Sequence, residues 1–528
     1  MKKVWRLKMK HKPKPKTAFN GVVILTLALV VVKILSAIYR VPYQNVLGDQ
    51  GLYAYQQIYP IVALGMILSM NAIPSAVTQV LGVHSPIASY SKVMLRLQYV
   101  GLAIFTIIFI GAYPLALWMG DSRLTPMLRM ASFSFILIGI LGVLRGFYQT
   151  KQAMNIPAIS QVIEQLIRVS LIIVAIVLFS LHSWSIYQAG TLAILASSIG
   201  FLGSMLYLVL TRPFSLKLKH NTAQVDWRRL FMSILIYALS QLIVILWQVV
   251  DSFTVIHTLQ VSGLSFDTAI RYKGIYDRGA SFIQMGLIVT TTFSFVLIPL
   301  LTEAIHHRNQ VLMNRYANAS IKITVLISSA AGIGLINLLP LMNRVFFKND
   351  SLTGTLSIYM ITVVCVSLIM MNIALLQVLN RIRPILAGIV LGILSKAILN
   401  IMCISQLSIF GASSSTVLSL ILFVTLLQVA VLKHYHFRRM SLFIIKLIGG
   451  LVVMSISVQI IMLIIPAHGR VMGLIELVMS AFIGVGVLLI YVVMFNVLSY
   501  KELKYLPFGD KLYHFKKGRR SRLTRLQL

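Results

Sequence analysis

The sequence predicts an all-α polytopic membrane protein of about fourteen transmembrane helices, and three observations predict it. Only 11% of the 528 residues are charged while 58% are hydrophobic, and the mean hydropathy is +0.89. A soluble domain carries about 25% charged residues, so most of this chain must be solvated by lipid. Apolar runs of roughly 18 residues or more recur from end to end, each long enough to cross a hydrocarbon core of ~30 Å. Lys and Arg, finally, collect in the two tails and in alternate loops.

The first run, 18–41, is too long for the apolar core of a signal peptide and is followed by no small-residue cleavage site. It reads as a retained first span. The following spans are expected at 53–82, 93–118, 127–148, 156–181 and 187–211, and then at 230–258, 277–303, 319–345 and 355–379. Four more are expected at 384–410, 413–433, 441–466 and 471–498. The connections are short, the longest falling near 212–229 and 259–276, and none holds a water-soluble domain. Pro60, Asn71 and Pro74 mark the second span as bent.

Sidedness follows from the basic residues. The tails at 1–17 and 499–528 are basic, and Arg212, Lys219, Arg229, Arg308, Arg315, Arg383 and Arg439 fall in loops on the same side. That side carries roughly 31 basic residues against about 5 on the other, which predicts a cytoplasmic location for both termini and an even number of spans. A net charge of +35 would suggest nucleic acid in a soluble protein. Here the tails lack interleaved aromatics or a binding module, so no nucleic-acid partner is expected. Their expected contacts are anionic lipid headgroups, at about 1 kcal/mol per basic residue near the surface. Nothing in the sequence sets an oligomeric state, and a monomer is compatible with it.

Ionisable groups inside spans are costly and face a bundle interior or a watery cavity. Thr26, Lys33 and Arg40 are spaced by seven on the first span and share one helical face. Lys33 is deep, whereas Arg40 is also readable as a residue snorkelling at the outer interface. Gln161, Glu164, Gln165 and Arg168 follow an i, i+3, i+4, i+7 pattern on the fifth span, and Glu164 and Arg168 are expected to pair. Asp251, on the seventh span with Gln241 and Gln248, has no cation on its own helix and needs one from another helix or a bound ion. The eighth span is expected to open with Asp277 and Arg278. Gly388, Gly392, Lys396 and Asn400 recur every four residues on the eleventh, suggesting close packing, with Lys396 readable as a cavity cation or as one that snorkels or pairs for stability. Cys365 and Cys403 lie in apolar segments without ligand spacing and read as packing residues.

No GxxxxGK[ST] loop occurs, and Glu303, His306 and His307 lack zinc-protease spacing. No loop is large enough to carry a catalytic acid pair, so the chain is not expected to be an enzyme.

Three segments carry a resemblance. They are Lys33–Gly51 (KILSAIYRVPYQNVLGDQG) continuing to Tyr55–Pro60 (YQQIYP), Gln161–Val169 (QVIEQLIRV), and Tyr276–Gly279 (YDRG). Together with the number of spans they resemble the polysaccharide-biosynthesis branch of the multidrug/oligosaccharidyl-lipid/polysaccharide exporter superfamily, in the group of stage V sporulation protein B and the MurJ-like lipid II flippases. The resemblance implies two pseudo-symmetric six-helix bundles, at 18–225 and 226–435, with two extra helices at 436–498. It implies alternating access to a central cavity and an undecaprenyl-pyrophosphate-linked substrate, lipid II foremost. Lys33 and Arg40 occupy the motif in which such flippases carry cavity cations. Lys33 stands where an arginine is frequent, keeping the charge but losing the bidentate fork. Glu164, Arg168, Asp251, Arg278 and Lys396 complete the candidate substrate-binding set. No cofactor is implied; coupling to the membrane potential or to a monovalent cation would suffice. Competing readings are an exporter of another lipid-linked polysaccharide unit, a cation-coupled drug exporter, a polytopic glycan polymerase and a non-transporting scaffold. A drug exporter would present carboxylates in place of Lys33 and Arg40, a polymerase would need a large catalytic loop, and a scaffold would need no buried cations.

Overall fold

The computed structural model describes residues 35, 39–82, 85–211, 225–294, 297–464 and 469–504. Lys33, Thr26, most of the first expected span and nearly all of both basic tails lie outside the described residues. Every regular element among the described residues is helical. In order these are α1 (Arg40–Ile67), α2 (Ile73–Leu81), α3 (Ile87–Ile110), α4 (Ala112–Trp118), α5 (Thr125–Ser132), α6 (Ile138–Thr150), α7 (Asn155–Leu181), α8 (Ile186–Thr211) and α9 (Trp227–Val261). There follow α10 (Phe266–Ser294), α11 (Ile298–His306), α12 (Gln310–Phe347), α13 (Thr353–Met360), α14 (Thr362–Val378), α15 (Arg383–Leu407), α16 (Ile409–Leu432), α17 (Met440–Ile464), α18 (Arg470–Met494) and α19 (Tyr500–Leu503).

Twelve helical stretches among the described residues are long and apolar enough to cross a membrane. Their surfaces invert the soluble pattern. On α18, Val471, Leu474, Val478, Phe482 and Val485 lie on the molecular surface, while Gly473, Glu476, Ser480 and Gly484 are buried. A helix solvated by hydrocarbon puts its polar and small residues toward protein. The chain is an all-α polytopic membrane protein.

Two boundaries differ from the sequence reading. The second span was expected from 53, but α1 begins at Arg40, with one non-helical residue inside it, Gly48 (φ +73°). Only glycine adopts that left-handed value without strain, so the helix can break and resume there. The eighth span was expected to open at Asp277 and Arg278, yet α10 begins at Phe266 and places both in its middle. The supposed long connection at 259–276 is therefore mostly helix. Charge misled the reading: Asp267, Arg271, Lys273, Asp277 and Arg278 look like a loop edge, but Asp267 and Arg271 are exposed on the first turns of α10, and the buried Lys273, Asp277 and Arg278 are held in ion pairs where protein replaces lipid. Where the second span was expected to bend, the helical ladder is irregular. Pro60 lies inside α1, a π-helical turn spans Leu68–Ala72, and Pro74 opens α2.

The chain divides into two compact units, residues 1–47 with 54–245, and residues 48–53 with 246–528. In the first, α6 is packed through its glycines. A Cβ on Gly142 would strike Ile73, and one on Gly146 would strike Val77, so α2 and α6 approach at backbone distance. In the second unit, α15 and α16 pair closely, and α17 and α18 pack against α12. Phe443, Leu447, Leu451 and Met454 of α17 and Leu488 and Val492 of α18 join Ile323 and Leu326 of α12 in one apolar core. Lys322 of α12 meets Glu502 of α19 at 3.2 Å, tying the C-terminal end of the described chain to the same helix.

Candidate functional site

The first unit gathers tyrosines and guanidinium groups. Tyr39, Arg40 and Tyr43 stand at the start of α1, with Tyr55 and Tyr59 four and five turns on. The hydroxyls of Tyr39 and Tyr55 are 2.9 Å apart, and the Tyr55 ring lies 5.2 Å from that of Tyr43 and 5.9 Å from that of Tyr59. The Arg40 guanidinium sits over the Tyr59 ring at 5.1 Å. Arg168, from α7, sits over Tyr39 at 5.8 Å and donates to Met66 Sδ. Both arginines are 1% exposed. Arg40 is thus no snorkelling residue at an outer interface. Tyrosine faces carry negative quadrupole charge, which lets a cation stay charged where water is scarce.

The expected Glu164–Arg168 pair is replaced by another. Glu164 Oε2 accepts from Arg145 of α6 at 2.7 Å. Arg145 also donates to Ser204 Oγ of α8 at 2.7 Å, to Ser160 Oγ of α7 at 3.0 Å and to the Ser69 carbonyl at 3.3 Å. Ser69 lies in the π-helical turn, where the widened ladder frees a carbonyl that must find another donor. One guanidinium therefore clamps the π-turn and three helices. Helical spacing alone brought Glu164 to Arg168; the tertiary fold offered Glu164 a cation with better geometry. Sequence reasoning missed Arg145, although a lone charge inside the apolar run ILGVLRGFY was the signal for it.

The second unit holds two further charge clusters. At the first, Asp49 accepts from Arg278 Nε at 2.9 Å and Nη2 at 2.5 Å, and the Asn349 carbonyl accepts from Nη1 at 3.3 Å. This joins two of the three resemblance segments. The approach is close because a Cβ on Gly274 would overlap the Asp49 carbonyl. Lys273 and Asp277 pair one turn apart on α10 at 2.5 Å. At the second cluster, Asp251 of α9 meets Lys396 of α15 at 2.7 Å. Asp251 also accepts from Asn400 Nδ2 at 2.8 Å and from the Tyr276 hydroxyl at 3.0 Å. The cation that Asp251 required from another helix is thus Lys396, which is fully buried and does not snorkel. The glycines before it behave as expected. Gly388 and Gly392 leave room for Phe423 and Trp247, whose rings stack at 5.7 Å.

Of the seven candidate residues, Lys33 lies outside the described residues. Glu164, Asp251, Arg278 and Lys396 are held in ion pairs, and Arg40 and Arg168 face the tyrosine cluster. No group of three or more His, Cys, Asp or Glu residues that could hold a metal occurs among the described residues.

Helices that bury paired charges while turning apolar faces outward define a polytopic membrane protein. The polysaccharide biosynthesis protein family matches residues 18–305, more than half of the chain. The chain belongs to that family, in the branch of MurJ and stage V sporulation protein B. It is 30% identical to the uncharacterized membrane protein YabM of Bacillus subtilis, over 95% of this chain and 97% of the relative. It is 23% identical to the lipid II flippase MurJ of the same organism, over 88% of this chain and 93% of that one. Its fold is similar to a solved structure of lipid II flippase MurJ in an inward closed conformation, with a TM-score of 0.68 at 16% identity over 90% of this chain and 98% of that one.

Proposed function

We propose that this chain is a flippase that carries an undecaprenyl-pyrophosphate-linked cell-wall precursor, lipid II foremost, from the inner to the outer leaflet of the bacterial cell membrane. The observation that carries the reading is the pair of buried guanidinium groups, Arg40 and Arg168, held against tyrosine faces on α1 and α7. A pyrophosphate cannot enter hydrocarbon unaided, and guanidinium groups match its oxygens with charge-assisted, forked hydrogen bonds. Lys33, seven residues before Arg40 in the sequence, is a further cation of the same resemblance segment. Family membership and the MurJ-like fold support the substrate class. Glu164 and Asp251 are neutralised at 2.7 Å by Arg145 and Lys396, which disfavours a site for cationic drugs.

In this reading two six-helix bundles, 18–225 and 226–435, open in turn to the two sides, with the helices of 436–498 appended. Both termini are cytoplasmic, where their basic tails meet anionic lipids. With the cell interior negative, moving an anion outward is favourable by about 2.3 kcal/mol per charge per 100 mV, so the membrane potential can drive transport. Arg145–Glu164 and Asp49–Arg278 act as helix clamps.

Complementation of a strain depleted of its lipid II flippase tests the proposal, scored by exposure of lipid II at the outer surface. Restored exposure is expected. An abundant protein that restores none would exclude lipid II and leave another lipid-linked polysaccharide unit as the cargo.

A further inference from the structure

The Lys396 ammonium is surrounded as a metal ion would be. Five oxygens, from four other residues of its own helix pair and from Asp251 of α9, lie around Nζ: Thr416 Oγ1 at 2.6 Å, Asp251 Oδ1 at 2.7 Å, Asn400 Oδ1 at 2.8 Å, Ser415 Oγ at 3.2 Å and the Ala412 carbonyl at 3.3 Å. An ammonium has three hydrogens to donate. Five oxygens exceed what it can use and make instead a coordination shell. Its composition, one carboxylate with an amide, a carbonyl and two hydroxyls, is the hard, singly negative donor set that suits an alkali cation. Carbonyl and hydroxyl oxygens that replace a hydration shell are how membrane proteins hold such ions.

The shell is also held in place from outside. Asn400 Nδ2 donates to Asp251 Oδ1 at 2.8 Å and to Thr254 Oγ1 at 2.7 Å, which orients its own oxygen toward Nζ. The Tyr276 hydroxyl lies 3.0 Å from Asp251 Oδ2 and 3.1 Å from Thr416 Oγ1. Ser415 Oγ donates to Asn400 Oδ1 and to the Ala412 carbonyl. Lys396, Asn400 and Ser415 are fully buried, and Asp251 and Thr416 are 2% exposed.

We infer that Lys396 is a tethered counter-cation: its ammonium fills an alkali-cation cage formed by α9, α15 and α16, so this unit carries its positive charge covalently and takes up no free metal ion there. The inference goes beyond the substrate reading, because it concerns the ion requirement of the fold and holds whatever the cargo is. Removing the lysine side chain leaves one net negative charge within an intact oxygen shell. A sodium or potassium ion then becomes the ligand that the cage lacks.

The test uses the full-length protein in detergent, with thermal unfolding followed at equal ionic strength in sodium, potassium or N-methyl-D-glucamine chloride. The wild type is expected to unfold at the same temperature in all three. Lys396→Ala is expected to unfold at a lower temperature in N-methyl-D-glucamine and to recover about 3–5 °C at a sodium or potassium concentration of ~100 times its dissociation constant. The neutral double variant Asp251→Asn with Lys396→Met is expected to show no such response. A wild-type midpoint that rises with sodium or potassium would overturn the inference, because the cage would then accept a free ion beside the lysine. So would a Lys396→Ala protein that is stabilised by acid and indifferent to alkali cations, because Asp251 would be taking a proton and the oxygens would form no ion site. If Lys396→Ala does not accumulate, Lys396→Ser is put through the same comparison, and its indifference to sodium and potassium would equally overturn the inference. None of these readouts uses substrate, so a failed complementation and a failed cage are separate results.

Discussion

Arg145 is fully buried and pairs with the Glu164 carboxylate at 2.7 Å. Inside a membrane protein, deleting one member of such a pair leaves the other unpaired, at a cost of about 3–5 kcal/mol. Arg145→Met and Glu164→Gln should therefore each lower the amount of folded protein sharply. The double variant should recover much of the loss, since two neutral groups of similar volume replace the pair. Full abundance of both single variants, measured by quantitative blotting of membranes, would show that the clamp is dispensable. Arg168, whose guanidinium lies over the Tyr39 ring, is a residue on which the proposed anion site rests. Arg168→Ala should keep most of its abundance and lose complementation, and Arg168→Lys should keep only part of the activity, since an ammonium lacks the fork. Lys33→Ala is expected to abolish complementation at near-normal abundance, with Lys33→Arg retaining much of the activity. An active and abundant Lys33→Ala protein would remove the first helix from the anion path.

At the level of elements, the break at Gly48 and the close approach at Gly274 belong together. Gly48 lets α1 depart from helical geometry, which delivers the Asp49 carbonyl to the surface of α10 where only a glycine leaves space. Gly274→Val should push the two apart, stretch the Asp49–Arg278 bridge and reduce both stability and complementation. Gly48→Ala, strained at φ +73° but facing open space, should cost on the order of 1 kcal/mol and leave some activity. Equal damage from both would mean that backbone conformation, not the approach at Gly274, controls the contact. Much at this level was legible in the chain. Periods of apolar residues placed most spans, and the four-residue run from Gly388 to Asn400 pointed to a packed face. The start of α10 was not legible, because its charges read as a loop: Lys273 and Asp277 pair within the helix, and Arg278 is paired by Asp49, 229 residues away.

For the whole molecule, the distribution of Lys and Arg makes the strongest claim. Reporter fusions after Lys219, Arg308 and Lys501 are expected to report cytoplasm, and a fusion at Ser265, in the short turn between α9 and α10, is expected to report the outside. A cytoplasmic signal at Ser265 would break the alternation and with it the even number of spans. Transport should also slow when the membrane potential is collapsed with a potassium ionophore and persist when sodium is replaced. The reverse pattern would argue for an ion-coupled cycle.

The sequence by itself determined the solvent, and the solvent dictated most of the architecture. A chain with so few charges must sit in lipid, and lipid permits only backbones that satisfy their own hydrogen bonds, hence helices. It also marked which residues were too polar to face hydrocarbon: Arg40, Glu164, Arg168, Asp251, Arg278 and Lys396 are all buried. What the tertiary structure decided was their partners. Helical periodicity reports neighbours on one helix and so offered Arg168 to Glu164, whereas the fold supplied Arg145. Nothing local could say that Asp49 belongs to Arg278, 229 residues away, or that Asp251 belongs to Lys396. Pairing in a low-dielectric interior is set by distances of a few ångströms between helices, and those distances exist only once the helices have packed.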